Sequence, residues 1–217
     1  TVLLIGQAES QFEAIKRALK TGSAENTFIS ITSGTRYQQI SEYAFTLDIT
    51  QESSYNTLIA DLKKMGKLPA YVVHIPAYAK SEVPKVDHVL QQAVLEQPDS
   101  SQPDLEQGVL QLLQLCKALQ TAQHKNTRLL SVCCHTSRGL HPLDSALGGF
   151  VKSLNAEIPT YCARVLHLVD ENTKTKNATD ITQEQAKLVL AELCDLDAPF
   201  AKENAETQID LAKQATR

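Results

Sequence analysis

Four groups of residues have the types and spacing to do chemistry. Cys133-Cys134-His135 sets two thiols beside an imidazole, the material of a metal site or a thiolate nucleophile. His74 closes the apolar run Ala70–Ile75, where a strand end could present a general base. Asp144 and Glu157 bracket a second apolar run. The turn Gly6-Gln7-Ala8-Glu9-Ser10-Gln11 follows an apolar strand, the place where α/β sheets cradle a phosphate on backbone N–H groups. Each group departs from what its chemistry requires. Neighbours on a strand point to opposite faces, so Cys133 and Cys134 do not converge on one metal, and no second Cys/His pair supports them. Nothing supplies an acid to orient His135 behind a nucleophilic thiol. His74 reads as a packed or capping side chain. Asp144 and Glu157 lie too far apart along one helix to act as a carboxylate pair. The turn keeps only its first glycine. Gln7, Ala8 and Ser10 put side chains where backbone must touch a ligand, and Glu9 brings negative charge to the seat. The expectation is a chain with no catalytic residue, no cofactor-binding residue and no metal ligand.

The elements that would position these residues follow from apolar periodicity. Short apolar runs predict strands at Val2–Gly6, 28–31, Tyr43–Ile49, Ala70–Ile75, Arg128–Cys134, Ala163–Val169 and Gln208–Lys213. Helical spacing predicts helices at Gln11–Leu19, Gln51–Met65 with Gly66 as its C-cap, Asp104–Gln120, Leu143–Glu157 and Thr182–Leu193 with Thr182 as N-cap. The stretch from Ala77 to Pro103 is irregular, with a short helix in Val86–Leu95. Gly148-Gly149 weakens its helix by about 1 kcal/mol per glycine relative to alanine, which points to close packing against the sheet or a partner. Apolar strands alternating with helices imply an α/β fold with a doubly wound, mainly parallel sheet, covered on both faces.

Composition bounds the function classes. The chain has 217 residues, 42% of them hydrophobic, enough for one sizeable domain with an aliphatic core; tryptophan is absent. The net charge is −4, and the only basic clusters, Lys63-Lys64 with Lys67 and Lys174 with Lys176, are short, which excludes a nucleic-acid surface. No apolar run reaches membrane-span length and no signal peptide is visible. Five cysteines at irregular spacing, Cys116, Cys133, Cys134, Cys162 and Cys194, predict buried, reduced thiols in the cytoplasm. A strand begins at Val2 and another runs up to the last residues, so a domain excised from a longer polypeptide is expected.

The run Leu143-Asp144-Ser145-Ala146-Leu147-Gly148-Gly149-Phe150-Val151-Lys152-Ser153-Leu154-Asn155-Ala156-Glu157 resembles the short-chain dehydrogenase/reductase family. There a helix ending in Gly-Leu-x-Lys-Ser-Leu-Ala-x-Glu carries the active-site Tyr-x-x-x-Lys pair. Aligned on Gly149–Glu157, Leu140 takes the tyrosine position and Asp144 the lysine position. Leucine donates no proton, and aspartate shifts a neighbouring phenol the wrong way. Leu47-Asp48-Ile49-Thr50 is similar to the segment that faces adenine, and Val72–Ala77 stands at the family's Asn-Asn-Ala-Gly strand end. Leu105 replaces the asparagine or lysine of the next helix, and the serine-bearing loop is short, with Ser137 nearby. Tyr55 is followed at the tyrosine–lysine spacing by Ile59.

This pattern of loss resembles the N-terminal structural subdomain of modular polyketide synthase ketoreductases, a truncated Rossmann-like half without a cofactor. The likeness runs through Ala70–His74, Leu110–Leu119, 128–132, Pro142–Glu157, 164–166 and Gln208–Arg217. It implies that residues 1–217 form a single degenerate Rossmann-like subdomain that braces a catalytic half. That half would follow in the same chain, bind NADPH and reduce a β-ketoacyl group on acyl carrier protein, among neighbouring synthase domains. This chain would itself hold no cofactor, and interface burial predicts an exposed apolar patch on it. Three alternatives remain: a pseudo-ketoreductase scaffold in a non-reducing module, an independent short-chain dehydrogenase-like enzyme, and a free-standing interaction domain with no large apolar patch.

Overall fold

Four apolar residues in a row, Val2–Ile5, leave strand β1 (Val2–Gly6) no polar face, and it lies fully buried at the centre of an eight-stranded sheet. The computed structural model describes residues 1–20, 26–76, 106–135, 142–169, 181–196 and 206–210. Its other strands are β2 (Phe28–Ser33), β3 (Gln38–Ser41), β4 (Ala44–Leu47), β5 (Tyr71–His74), β6 (Arg128–His135), β7 (Cys162–Val169) and β8 (Glu206–Asp210). The helices are α1 (Ser10–Lys20), α2 (Glu52–Lys64), α3 (Gln111–Thr121), α4 (Pro142–Glu157) and α5 (Gln183–Asp195). The sheet order is β3-β4-β2-β1-β5-β6-β7-β8, parallel throughout except for the β3–β4 pair. The doubly wound architecture expected from the apolar periodicity is therefore present.

Side-chain alternation divides the core in two. Leu3, Ile5, Ile29, Ile31, Phe45 and Leu47 face α2, α3 and α4. Val2, Leu4, Val73, Leu130, Leu166 and Leu168 face α1 and α5. Each fully buried aliphatic side chain contributes about 1.5–3 kcal/mol relative to exposure. The last crossover differs in hand from the others. The chain steps from β6 to β7 and from β7 to β8 in the same direction, yet α4 packs on one face and α5 on the other. Connections of this kind are right-handed in all but a few per cent of cases, so β7-α5-β8 is a left-handed crossover. A buried ion pair fixes it: Arg164 on β7 donates to the Glu192 carboxylate on α5 at 2.5 Å.

Between β2 and β4 the chain makes a hairpin where a doubly wound fold would lay a helix. Beyond Phe28, the α1 side of these strands is accordingly small or hydroxylic, with Ser30, Thr32, Ala44 and Thr46. Ser30 and Ala44 line an open cleft of about 440 Å³ with Phe28, Lys16, Lys20 and Tyr43. The hairpin strand β3 is wholly exposed and carries no apolar alternation, so periodicity gives no sign of it. It is held by pairing to β4, by the stacking of Tyr37 on Phe45, and by the Tyr37 hydroxyl, which donates to Asp61 Oδ2 at 2.8 Å.

Three further boundaries differ from the sequence expectation. Tyr43–Ile49 shortens to β4 because the Thr50 N–H and hydroxyl both donate to Asp48 Oδ1, which turns the chain. The helix expected from Asp104 becomes an α-helix only at Gln111, after a π-helical turn at Glu106–Leu110. Strand β8 begins two residues before Gln208. Residues 77–105, 170–180 and 211–217 lie outside the described residues, and with them Asp104, the helix expected at Val86–Leu95, and Lys174 with Lys176. The caps agree with expectation. Thr182 and Gln185 form a capping box, and Gly66 at φ 66° closes α2 while the Lys67 N–H reaches Leu62 O at 2.8 Å.

The ion pair yields a test. Glu192→Leu removes the carboxylate partner of the buried Arg164 and should cost about 3–5 kcal/mol, whereas Arg164→Met with Glu192→Leu should regain most of that loss. Urea unfolding midpoints of the two variants and the parent measure the difference.

Candidate functional site

In an open parallel sheet the ligand crevice lies at the carboxyl ends of the strands where the winding reverses. Here that point is between β1 and β5, since β1 leads through α1 to β2 on one side and β5 leads to β6 on the other. The turn after β1 is occupied by the chain's own side chains. Gln11 is 2% exposed and its Oε1 accepts the N–H groups of Gln7 at 2.8 Å and Ala8 at 3.2 Å. Phe12 is fully buried beside it. A Cβ on Gly6 would come within 2.6 Å of Gln11 Oε1 and 2.9 Å of Phe12 Cε1. The glycine is needed for internal packing, with no ligand required to explain it. Gln7, Ala8 and Ser10 are exposed, and the side chain that occupies the N–H groups of the turn is that of Gln11. Glu9 does not leave a bare charge there either. Its Oε1 accepts from Lys16 Nζ and, at 2.9 Å, from the Ser30 hydroxyl.

Across the switch point, His74 ends β5 with its ring fully buried. Nδ1 lies 3.0 Å from Ser131 Oγ and Nε2 lies 3.1 Å from Gln111 Oε1. With a carbonyl oxygen facing Nε2, that nitrogen carries the proton and Nδ1 accepts from the serine. Tyr55 joins the group through Gln111 and donates to Ile49 O at 3.3 Å. Burial first and the Asp48 charge second push its phenol up, against the opposing hydrogen bond from Gln111. His74, Ser131 and Tyr55 are fully buried and Gln111 nearly so. These four side chains tie β5, β6, α2 and α3 together, and they satisfy one another's hydrogen bonds inside the core. The packed reading of His74 therefore fits its position.

The thiols divide as strand alternation requires. Cys133 packs on the α3 side and Cys134 on the α1 side. Burial, followed by the Asp144 charge, pushes the Cys134 thiol up to about 12, so it stays protonated at neutral pH and is a poor nucleophile. Among the described residues no three His, Cys, Asp or Glu side chains are grouped to hold a metal ion. Cys116, Cys133 and Cys162 are buried as expected; Cys194 is exposed, because it lies on the solvent side of α5. Asp144 is fully buried in the first turn of α4, near Cys134. Leu140, Leu105 and Ser137 lie outside the described residues. In the Gly148-Gly149 pair, Gly148 is buried, while a Cβ on Gly149 would meet nothing within 4 Å, so packing within this domain does not require the second glycine. Large exposed apolar side chains are Ile40 and Leu110 among the described residues. They sit on separate elements, and the contiguous apolar patch expected on the surface is not formed by them.

Sequence reasoning missed Gln11, Gln111, Ser131 and Asn155. The Asn155 carboxamide pairs with both backbone groups of Ala163, at 2.9 and 2.8 Å. It supplies the edge pairing that β8, whose register begins at Val165, does not reach. Its signal was present in the run Lys152–Glu157, though nothing in that run says which backbone it meets.

A family model described as beta-ketoacyl synthase-like, N-terminal, matches residues 1–185. The chain belongs to that family. Its fold is similar over 96% of its length to an N-terminal ketoreductase from a macrolactin assembly line, with a TM-score of 0.73 at 19% identity. A multidomain adenylation, ketoreductase and pseudo-Asub structure of a keto acid-selecting NRPS module gives 0.71 at 15% identity, again over 96% of this chain. The enoyl-acyl carrier protein reductase of Bacillus cereus gives 0.64 at 14%, covering 97% of this chain and 93% of the reductase. These likenesses establish a Rossmann-like fold shared with short-chain dehydrogenases and reductases. The chain spans 38% of the macrolactin ketoreductase and 16% of the multidomain structure. No curated protein matches the sequence.

Thiol reactivity follows from the burial pattern. Iodoacetamide at neutral pH should label Cys194 first and leave Cys134 and Cys116 unmodified until the chain is unfolded, as read by mass spectrometry of the alkylated peptides.

Proposed function

We propose that the chain is the structural subdomain of a polyketide synthase ketoreductase. In this reading residues 1–217 form one Rossmann-like unit of a longer polypeptide. Its partner is a catalytic subdomain in the same chain, which carries the serine, tyrosine and lysine, binds NADPH and reduces a β-ketoacyl group on acyl carrier protein. Neighbouring synthase domains complete the assembly, which works in the cytoplasm. The observation that carries the reading is Gln11 seated in the β1–α1 turn. A turn whose N–H groups already hold an internal oxygen offers a pyrophosphate no backbone contact, so the contribution of this half is packing rather than chemistry.

The likeness to a portion of the macrolactin ketoreductase, over nearly all of this chain, supports the same reading. Among the described residues no helix is long and apolar enough to cross a membrane. With only Ile40 and Leu110 exposed as large apolar side chains among the described residues, contact with the partner half would be largely polar, as contacts between domains of one chain tend to be.

Expressing the two halves of the parent polypeptide as separate chains tests this. The expected result is that they co-purify, that the catalytic half melts at a higher temperature in the pair, and that NADPH-dependent reduction of a β-ketoacyl thioester is lost when this chain is left out. A catalytic half equally stable and active alone, or reduction by this chain on its own, contradicts the proposal. Co-purification without turnover points instead to a scaffold in a non-reducing module.

A further inference from the structure

Strand β3 is the outer strand of the sheet, and among the described residues no strand pairs on its far side. The direction of its backbone groups follows from β4. The Ser30 N–H donates to Tyr43 O at 2.8 Å, so Tyr43 and Phe45 turn their backbone groups toward β2, and Ala44 and Thr46 turn theirs toward β3. Gln38 lies opposite Thr46 and faces inward; Gln39 lies opposite Phe45, and its N–H and C=O point away from the sheet. Ile40 then interrupts the register as a bulge, with its side chain 58% exposed. Sheets commonly guard such an edge with charged residues or proline. The four residues of β3 include neither, and only the strand's shortness and its bulge blunt it. The charges sit at its two ends instead: Arg36 precedes the strand and Glu42 follows it, and both are exposed.

We propose that β3 is a self-association edge, on which a second copy of the chain lays its own β3 antiparallel about a two-fold axis at Gln39. The axis makes the two Gln39 residues a pair that exchanges both N–H···O=C bonds, an isologous contact. It sets Ile40 of each copy against Gln38 of the other. It also sets Arg36 of each copy against Glu42 of the other, since the two residues lie at equal distances on either side of Gln39. A parallel arrangement would oppose Arg36 to Arg36 and Glu42 to Glu42, and like charges across paired strands are unfavourable. Charge thus selects a second copy in the antiparallel sense. One closely bonded pair with two flanking ion pairs makes a weak contact, so the dimer forms only at high protein concentration. None of this depends on the reading of the chain as a structural subdomain.

Sedimentation velocity on the full chain from about 10 μM to about 1 mM, with hydrogen exchange at the Gln39 amide, tests the proposal. The expected result is a monomer that passes to dimer across this range, with exchange at Gln39 slowing as the dimer forms. Gln39→Pro removes the outward N–H and none that faces β4, and should weaken the dimer at least about tenfold. Should proline disturb β3, Arg36→Glu and Glu42→Arg ask the same question from exposed positions outside the strand. Each alone opposes like charges twice and should stay monomeric, whereas an equimolar mixture of the two should associate as the parent does. A parent chain that is monomeric at every concentration overturns the proposal. A dimer that Gln39→Pro and the charge reversals leave unchanged also overturns it, because another face then forms the contact. A mixture that associates no better than its components does the same.

Discussion

The N–H groups of Gln7 and Ala8, at the head of β1, need an acceptor, because the β1 register ends at Gly6 and α1 has not yet begun. In a nucleotide-binding sheet that acceptor is a phosphate oxygen, and the turn keeps glycines so that backbone can reach it. Here the acceptor is Gln11, the second residue of the chain's own helix α1. Much of the neighbourhood follows from that bond. Gly6 cannot carry a side chain without meeting Gln11 and Phe12. Phe12 then fills the space behind the turn, and α1 is anchored to the sheet from its first residues. The crevice at the switch point is closed from inside by packing.

The other side of the crevice is organised in the same way. His74, Ser131, Gln111 and Tyr55 could each serve a reaction elsewhere, yet here they satisfy one another in the core and join four elements. The π-helical turn before α3 precedes Gln111 directly, so a break in helical register accompanies its entry into the group. Further along the sheet, Asn155 completes the open edge of β7 and the Arg164–Glu192 pair holds α5 on the face opposite to α4. In each of these places buried polar groups join one element to another.

The sheet's central strands were legible because β1 and β5 to β7 are buried on both faces and read as mainly apolar runs, broken in β6 and β7 only by a few polar residues such as Ser131, Arg164 and His167. The helix caps were legible because Thr182 and Gly66 act through local backbone. Strand β3 was not, since Gln38–Ser41 is exposed and has no apolar alternation, and what holds it, pairing to β4 and the contacts of Tyr37 with Phe45 and Asp61, lies outside the segment itself. The π turn was hidden by continuous helical spacing from Leu105 to Leu119. At the candidate site, the loss of glycines after Gly6 was visible, but the residue that closes the turn was not. Gln11 reads as an ordinary polar residue at a helix start, and only its burial shows where its oxygen goes. The partners of His74 come from residues 37 and 57 positions away, beyond any local pattern.

The central claim is that the seat for a dinucleotide pyrophosphate is taken by Gln11. Calorimetric titration of NADPH into the chain, paired with a crystal soaked in the same nucleotide, tests it most directly. The account predicts no saturable heat and a Gln11 oxygen still bound to the Gln7 and Ala8 amides. Micromolar binding, with the nucleotide's phosphates on those amides and Gln11 swung away, would contradict it.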